Sequence, residues 1–259
     1  MRTDDRQLAA GTYAKKQLFG GCSLLTWSHR RRFEMARALA AAYQGRSLLD
    51  YGCGDGTFLA MMHADFPDSI GVEVDPGLVT ACAQQFGHLG GLRFLLTSAA
   101  DALPAGSVGV IVCTEVLEHC PTDAVDVALA RMRRLVAPDG RVIVSVPVET
   151  GLPLIVKQAA RAVAARRVSN DYRHRETYNV RDFVRMLAPG DRTVVERPVY
   201  ETQFATGIPN HYHGHKGFNW RAMRRRVAET FRVVETRFSP LSWLGPQIAS
   251  QAWFVCAPR

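Results

Sequence analysis

Residues 48–59, LLDYGCGDGTFL, combine an apolar strand with glycine at every second position. Because glycine has no Cβ, Gly52, Gly54 and Gly56 allow the backbone to bend sharply and a ligand to approach it closely. A dinucleotide-binding G-x-G-x-x-G fingerprint needs its third glycine at position 57, where this chain has Thr57. The pattern therefore predicts a close-approach loop before a helix that begins near Thr57. The alternative is a strand-to-helix turn that binds no ligand.

An acid, Asp50, stands at the carboxyl end of this strand, where open α/β sheets bind their ligands. An acid at that place, followed by the glycine loop and a helix, resembles motif I of the class I S-adenosylmethionine-dependent methyltransferases. The resemblance is specific over roughly residues 46–148 and becomes a likeness of overall layout beyond them. It implies S-adenosyl-L-methionine (SAM) as the cofactor, with Asp50, Gly52, Cys53 and Gly54 around it.

The chain has 259 residues, of which 47% are hydrophobic, so it can bury one sizeable core. Apolar runs of strand length alternate with helix-like stretches, a pattern typical of βαβ units. We therefore expect the α/β class: a Rossmann-like, seven-stranded, mostly parallel sheet with helices on both faces, an N-terminal helical cover and a lid insertion after the fifth strand. The predicted strands are residues 47–51, 69–74, 92–96, 108–113, 141–146, 231–238 and 251–257.

We expect a single methyltransferase domain over the whole chain. Its parts are a helical cover (1–45), a cofactor-binding core (46–148), an insertion that forms an acceptor lid (149–230) and closing strands (231–259). The helix predicted from about Thr122 has one apolar stripe, with its arginines on the solvated side; the stripe consists of Val125, Ala128, Leu129, Met132 and Leu135.

The net charge of +8 and the pI near 9.5 favour a polyanionic partner, either nucleic acid or an anionic membrane surface, or reflect a basic proteome. No run of eighteen apolar residues exists, and the first twenty residues carry no apolar stretch. The six cysteines are scattered without a C-x-x-C pair. We therefore expect a cytoplasmic protein with reduced thiols, neither secreted nor membrane-spanning.

The ribose hydroxyls of a nucleoside are usually held by an acid at the end of the second strand, about twenty residues after the first glycine. Glu73 has this spacing from Gly52. Asp75 competes for the role, but it also precedes Pro76 at a predicted helix start, where it is well placed as an N-cap. The sequence therefore favours Glu73 as the ribose ligand.

The resemblance implies further cofactor contacts. Ala99 stands where the family usually has an aspartate beside the adenine, and Asp101 follows two residues later. Thr114, at the end of the fourth strand, is expected beside the methionine part of the cofactor. Arg32 is a candidate partner for the cofactor carboxylate, and its alternative is a place on a solvated helix face.

The segment EVLEH, residues 115–119, brings two carboxylates and an imidazole to the mouth of the predicted crevice. It resembles the ubiquinone-pathway O-methyltransferases and the small-RNA 3′-terminal ribose 2′-O-methyltransferases. Both resemblances imply a divalent metal held by Glu115, Glu118 and His119, which would lower the pKa of an acceptor hydroxyl. The alternatives are that His119 is a metal-free general base or a strand-end cap.

The ubiquinone-type resemblance also implies a lipid-contacting insertion after the fifth strand. A helix over residues 151–168 would place an apolar face opposite Lys157 and Arg161, which predicts peripheral membrane contact. That apolar face would consist of Leu152, Ile155, Val156, Ala159 and Val163. The alternative is a lid helix packed on the domain itself.

Histidines at 211, 213 and 215 alternate, so in an extended chain they would point the same way. They form either a metal-binding trio or, as we favour, part of an aromatic lid over the acceptor. The RNA-type resemblance needs another histidine after the fifth strand, for which His174 is a candidate; a basic loop is the favoured account of it.

We therefore expect a SAM-dependent methyltransferase (EC 2.1.1.-) that methylates an oxygen of a small-molecule or lipid-associated acceptor, with His119 as the catalytic residue. One alternative keeps the enzyme class and changes the acceptor to RNA, at a ribose or a base. Another is a catalytically inert, cofactor-binding protein that serves as a partner for other proteins.

Overall fold

The computed structural model describes residues 23–167, 177–204 and 206–259. Its helices, numbered in chain order, are α1 (Ser23–Ala40), α2 (Thr57–Met62), α3 (Pro76–Phe86), α4 (Thr122–Leu135), α5 (Gly151–Arg167), α6 (Val180–Leu187) and α7 (Trp220–Thr230). Its strands are β1 (Leu48–Tyr51), β2 (Ser69–Glu73), β3 (Leu92–Leu96), β4 (Val108–Thr114), β5 (Val136–Pro147), β6 (Val199–Gln203), β7 (Pro209–His213), β8 (Phe231–Ser239) and β9 (Gln251–Pro258).

The central sheet has seven strands in the order β3-β2-β1-β4-β5-β9-β8. Strands β1 to β5 run parallel, and β9 pairs antiparallel with both β5 and β8. This confirms the predicted mostly parallel sheet with an antiparallel end. Strand order reverses between β1 and β4, so the loops after these strands open on one crevice.

Two apolar clusters, one on each face of the sheet, form the core. Helices α1, α2 and α3 cover one face, where Ala36 and Ala40 of α1 are buried and Phe33 packs 5.6 Å from Phe58. Helices α4 and α7 cover the other face. The whole predicted stripe of α4 is buried there, and each such aliphatic side chain contributes roughly 1.5–3 kcal/mol when fully buried.

One strand boundary differs from its prediction by several residues, whereas the others agree to within one residue. Strand β5 begins at Val136, before Ala137-Pro138-Asp139-Gly140, and not at Arg141. The pairing with β4 shifts there, because Val136 lies opposite Val108 and Arg141 lies opposite Val110. The Pro-Asp-Gly residues therefore form an irregularity inside the strand, where a bulge accommodates extra residues, and do not separate two elements.

The insertion between β5 and β8 holds α5, α6, α7 and a hairpin of β6 and β7. Helix α7 begins after Asn219, which caps it because its side chain accepts a hydrogen bond from the Arg221 N–H group. Helix α6 and the hairpin were not predicted. The hairpin lacks a strong apolar pattern, whereas α6 has apolar residues at helical spacing, Val180, Phe183, Val184 and Leu187, and is capped by Asn179, whose side chain accepts from the Asp182 N–H group.

Helix α5 exposes the part of the predicted apolar face whose side chains the structure describes; the side chains of Arg161 and Val163 lie outside that part. Leu152, Ile155 and Val156 are exposed, whereas Leu154 packs in a small cluster with α6. The predicted cation opposite them is corrected: Lys157 donates hydrogen bonds to the buried Glu149 and is not a surface charge available to lipid. Within the described residues, no helix is both long and apolar enough to cross a membrane.

Candidate active site

A cavity of about 590 Å³ opens at the carboxyl ends of β1 and β4. Helix α1 closes one side, and the loop after β4 closes the other. The residues that line it include most of the predicted site, namely Arg32, Asp50, Gly52, Cys53, Gly54, Thr114, Glu115, Glu118 and His119. Its wall is completed by His215, one of the alternating histidines, and by residues that the sequence did not single out, among them His29, Val116 and Gln251.

The glycine loop after β1 has left-handed backbone conformations that favour glycine. Gly52 has φ of 80°, and a Cβ there would lie 2.5 Å from Val116 Cγ2. Gly54 has φ of 54°, and no protein atom would lie within 4 Å of its Cβ. Position 52 therefore requires glycine because Val116, in the loop after β4, packs closely against it. Position 54 leaves open space at the cavity wall.

Asp50 is a buried carboxyl group at the bottom of the cavity, with 2% of its surface exposed. No hydrogen-bond donor among the described residues reaches its Oδ1 atom. Burial, with smaller contributions from Glu73 and Asp55, raises the pKa of Asp50 to about 7. Such a group favours a ligand that donates hydrogen bonds or carries positive charge.

Glu73 lies at the end of β2 and faces the glycine loop. Its Oε2 atom accepts a hydrogen bond of 2.9 Å from the Gly54 N–H group, and its Oε1 atom accepts one of 2.7 Å from Val74. Asp75 accepts from the Gly77 N–H group and caps α3, as predicted. The carboxylate of Glu73 therefore stands beside the loop, in contact with Gly54, but Glu73 is not among the residues that line the cavity.

The structure does not bring Ala99 into the cavity. Ala99 lies on the 3-10 helix Thr97–Ala102, which turns its methyl group toward solvent. Asp101 is unsuited to an adenine contact, because both of its carboxylate oxygens accept hydrogen bonds of 2.7 Å from Arg131. Arg131 also donates to the Tyr51 hydroxyl group, so this arginine is not the merely solvated charge that the sequence predicts.

Arg32 projects from α1 toward the loop after β4. Its Nη1 atom lies 3.6 Å from Glu115 Oε2, and its Nη2 atom lies 3.1 Å from His29 Nδ1. Glu115 has a left-handed φ of 55° and accepts a further hydrogen bond from the Ser145 hydroxyl group. Thr114, the last residue of β4, lies beside this pair on the cavity wall.

Glu118 is completely buried, with 0% of its surface exposed. Neither carboxyl oxygen has a hydrogen-bond partner among the described residues. Burial first, and the neighbouring Glu115 second, raise the pKa of Glu118 well above its ordinary value. A basic group, His119 Nε2, lies 3.7 Å from Glu118 Oε1.

The metal site predicted at Glu115, Glu118 and His119 is not supported. No group of three or more histidine, cysteine or acidic side chains that could hold a metal occurs in the described part of the chain. The physical reason is that Glu115 is paired with Arg32, whose guanidinium group supplies the positive charge at this place. The residues therefore do not fit a divalent cation, and no step of the chemistry below uses one.

His119 is held in one orientation by the hairpin. Its Nδ1 atom lies 2.8 Å from the carbonyl oxygen of His213, which can only accept. The His213 N–H group in turn donates to the His119 carbonyl group at 2.9 Å. Neutral His119 therefore carries its proton on Nδ1, and Nε2 is its basic atom.

Arg197, just before β6, reinforces this connection. Its Nη2 atom donates to the carbonyl oxygens of both Glu118 and Gly214, and its guanidinium group stacks 5.1 Å from the Phe218 ring centre. No local sequence pattern indicates this role. Arg197 is distant along the chain from the EVLEH segment, and only the fold of the insertion brings them together.

The alternating histidines do not converge as a metal-binding trio. His211 is exposed and paired with Glu201, and His213 Nδ1 lies 3.0 Å from the Pro198 carbonyl oxygen. Only His215, beyond the end of β7, reaches the cavity, where its ring packs edge-on 5.0 Å from that of His119. His174 lies outside the described residues.

Comparisons with known proteins agree with this geometry. A family model described as "Methyltransferase domain" matches residues 27–195. A trans-aconitate 2-methyltransferase of Methylobacterium radiotolerans is 33% identical over 122 residues, which are 46% of this chain and 44% of that protein. The match thus spans less than half of the length of this relative.

Several solved structures share the fold at low sequence identity. The PH0226 protein of Pyrococcus horikoshii has a TM-score of 0.57 at 13% identity, with 89% of this chain and 91% of that chain covered. The N-methyltransferase NodS of Bradyrhizobium japonicum, solved with S-adenosyl-L-homocysteine (SAH), has a TM-score of 0.56 at 12% identity, with 98% and 96% covered. The matched family, the sheet order and the glycine loop agree: this chain belongs to the methyltransferase domain family, within the class I SAM-dependent methyltransferases.

Proposed function

We propose that this protein binds SAM in the cavity at the ends of β1 and β4 and methylates an oxygen of a small-molecule or lipid-associated acceptor. The observation that carries the proposal is the buried Asp50, whose Oδ1 atom lacks a partner among the described residues, on one wall of the cavity, with His119 on another. Structural neighbours bind related ligands: NodS was solved with SAH, and so was the toxoflavin-pathway N1-methyltransferase of Burkholderia thailandensis.

The residues present fit this cofactor. Asp50 offers a buried anionic acceptor to the ammonium group and the sulfonium charge, and Gly54 leaves the space that a Cβ would fill. Glu73 stands beside the loop for the ribose hydroxyl groups, and Arg32 is the cation available for the cofactor carboxylate. Thr114 and Cys53 complete the wall around the methionine part.

When bound, SAM supplies an electrophilic methyl group on a positively charged sulfur. The protein's share of the catalysis is to hold the acceptor in line with that group and to exclude water, because charge is dispersed and not created at the transferred carbon. The acceptor must still lose a proton. His119 Nε2 is the basic atom for this, since Nδ1 is committed to the His213 carbonyl group.

Calorimetry with SAH tests the cofactor part of the proposal. We expect saturable one-site binding to the wild-type protein and binding at least ten-fold weaker in the Asp50→Asn variant, which keeps the shape of the side chain and removes its charge. Asp68→Asn, at an exposed pair with Arg93, is the matched control and should bind as the wild type does. Absence of binding at millimolar SAH would overturn the proposal.

Transfer of labelled methyl from SAM to extracts of the source cells tests the role of His119. In His119→Gln we expect transfer to fall by about 10²–10⁴-fold, the usual contribution of a positioned general base, with unchanged affinity for SAH. His211→Gln, on the exposed side of the same hairpin, should retain wild-type transfer. Wild-type transfer by His119→Gln would remove His119 from the mechanism.

An RNA acceptor is a second candidate that the basic charge favours. It would be recognised by phosphate contacts, and binding that rests on these weakens steeply as salt rises. Gel shifts with small RNAs across a salt series separate it from the small-molecule proposal: salt-sensitive binding together with label in the RNA fraction would replace the acceptor proposed above. SAH binding without any labelled product would instead favour an inert, cofactor-binding protein.

A further inference from the structure

The charged groups at the cavity restrict the class of acceptor that it can take. Among the described lining residues, Arg32 is the one arginine or lysine, whereas Asp50, Asp55, Glu115 and Glu118 are all acidic. Under the proposed function, on which this inference rests, Arg32 serves the carboxylate of the cofactor itself. A second carboxylate, brought by the acceptor, would have no arginine or lysine partner on the described part of the cavity wall.

Two cations lie just behind the wall, and both are already engaged. Lys157 donates to Glu149 at 2.9 Å and to the Val148 carbonyl oxygen at 3.0 Å. Arg197 donates to the carbonyl oxygens of Glu118 and Gly214. Turning either side chain toward an acceptor would leave a buried carboxylate or a backbone carbonyl group without its donor, which is unfavourable.

Glu118 supplies the complementary feature, because it lacks a donor. Its two buried oxygens have no hydrogen-bond partner among the described residues, and a carboxyl group accepts hydrogen bonds in either protonation state. The basic atom of His119 lies 3.7 Å from Glu118 Oε1, and both residues line the cavity. A carboxylate acceptor could not donate to either atom, and it has no proton for a general base to remove.

We infer that the acceptor presents an uncharged hydroxyl group to Glu118 and His119, and that Glu118 is the residue that selects it. A carboxylate acceptor, such as the name of the trans-aconitate methyltransferase relative describes, does not fit this cavity. The two proteins share less than half of their lengths, so a different acceptor is compatible with their likeness.

The chemical stability of the methylated product tests the inference even while the acceptor is unidentified. Wild-type protein is incubated with an extract of the source cells and methyl-labelled SAM, and the labelled product is treated with mild base. Methyl esters of carboxylates release labelled methanol under these conditions, whereas methyl ethers and N-methylamines keep their label. We expect the label to stay on the product, and volatile label would overturn the inference while leaving the methyltransferase proposal intact.

Variants of Glu118 test its part in selection. In Glu118→Leu we expect kcat/KM for the labelled acceptor to fall at least ten-fold, with unchanged affinity for SAH. In Glu118→Gln, whose amide oxygen still accepts a hydrogen bond, we expect a smaller loss; this variant also serves if the leucine variant does not fold. Glu201→Leu, at an exposed position of the hairpin, is the control and should behave as the wild type.

Two further outcomes decide against the inference. Undiminished kcat/KM in both Glu118 variants would show that the acceptor does not use this carboxyl group. SAH binding without methyl transfer to any component of the extract would overturn the proposed enzymatic function and the inference with it. Base-labile label is distinguishable from this second outcome, because it requires an active enzyme.

Discussion

At the scale of single residues, the site depends on carboxyl groups that the fold keeps out of water. Asp50 and Glu118 lie on the same cavity, and burial is the first cause of the raised pKa of each. They differ in surroundings: Asp50 stands at the glycine loop, and Glu118 stands beside His119 and behind the Arg32–Glu115 pair. One is thereby suited to the cofactor and the other to the acceptor.

Asp50 makes the stability of the ligand-free protein depend on pH. The pKa of Asp50 is about 7 in the folded state, which is above the pKa of an aspartate in the unfolded chain. The contribution of Asp50 to the unfolding free energy is therefore fully present below about pH 4 and is lost as pH rises through 7. We expect the unfolding free energy of the wild type, relative to Asp50→Asn, to fall by about 3 kcal/mol between pH 5 and pH 8. Urea titrations at both pH values measure this, and an equal difference at the two would contradict the assignment.

We expect the alanine variants of Gly52 and Gly54 to differ in whether they lose mainly stability or mainly affinity for SAH. Both have positive φ, which costs alanine about 1–2 kcal/mol. Gly52→Ala also forces a contact with Val116, so we expect it to lose about 1–3 kcal/mol more in unfolding free energy. Gly54→Ala meets no protein atom, and we expect it to retain more stability while binding SAH more weakly, by calorimetry. If the loss of SAH affinity were proportional to the loss of unfolding free energy in both variants, this distinction would be wrong.

At the scale of elements, the hairpin of β6 and β7 is attached to the loop after β4. Backbone hydrogen bonds join His213 to His119, and Arg197 joins the start of the hairpin to Glu118. The part of the chain inserted between β5 and β8 therefore holds the proposed catalytic histidine in position. This is the physical link between the insertion and the chemistry of the sheet edge.

Arg197→Lys tests this link. A lysine keeps the charge but cannot reach two carbonyl oxygens with a planar fork, so Glu118 and His119 should be held less firmly. We expect kcat to fall about ten-fold with little change in SAH affinity, together with a changed nitrogen NMR signature of the His119 tautomer. The control is Arg221→Lys, because Arg221 stacks on Trp220 away from the cavity. An unchanged NMR signature of His119 in Arg197→Lys would refute the positioning role of Arg197.

Helix α5 is the element on which the sequence predicts peripheral membrane contact, and that contact stays a prediction. Because Lys157 is engaged with Glu149, the described side chains on which attachment would rest are the exposed aliphatic ones, each worth at most about 1.5–3 kcal/mol. We expect Ile155→Ser with Val156→Ser to reduce co-sedimentation with phosphatidylglycerol vesicles. The matched control is Val127→Ser, an exposed aliphatic position on α4. Equal co-sedimentation of the two variants would contradict the prediction.

At the scale of the whole molecule, the cavity connects elements from both ends of the described chain. Helix α1, the loops after β1 and β4, and Gln251 at the start of β9 all contribute to its wall. A ligand that fills the cavity therefore joins parts that unfolding separates. Binding to the folded state alone raises the unfolding free energy in proportion to the logarithm of the ligand concentration.

We therefore expect SAH to stabilise the protein against heat. At a free concentration one hundred times Kd, it should add about 2.7 kcal/mol, which corresponds to a rise in Tm of roughly 5–10 °C for a chain of this size. Differential scanning fluorimetry across an SAH series measures the rise. Adenosine alone, which lacks the amino-acid part expected near Asp50 and Arg32, should give a smaller shift, and an equal shift would contradict that placement.

Local patterns in the sequence determined most of the elements and the proposed cofactor end of the site. The strand-acid-glycine pattern of residues 48–59, the stripe of α4 and the caps Asp75 and Asn219 all depend on neighbours a few residues apart. Such short-range effects can be predicted from a single sequence, because backbone conformation and helix periodicity follow directly from side-chain type. The mostly parallel arrangement of the central strands followed from the same alternation.

Only the tertiary structure decided how the remaining charged groups pair. Arg131 pairs with Asp101, Lys157 with Glu149 and Arg32 with Glu115, and the last pair removes the metal site that the EVLEH segment alone suggested. The Arg197 contact to the Glu118 carbonyl group joins the insertion to the loop after β4. Ionic and hydrogen-bond partners of this kind are set by distance in space, and burial determines their strength; neither quantity is encoded in the spacing of residues along the chain.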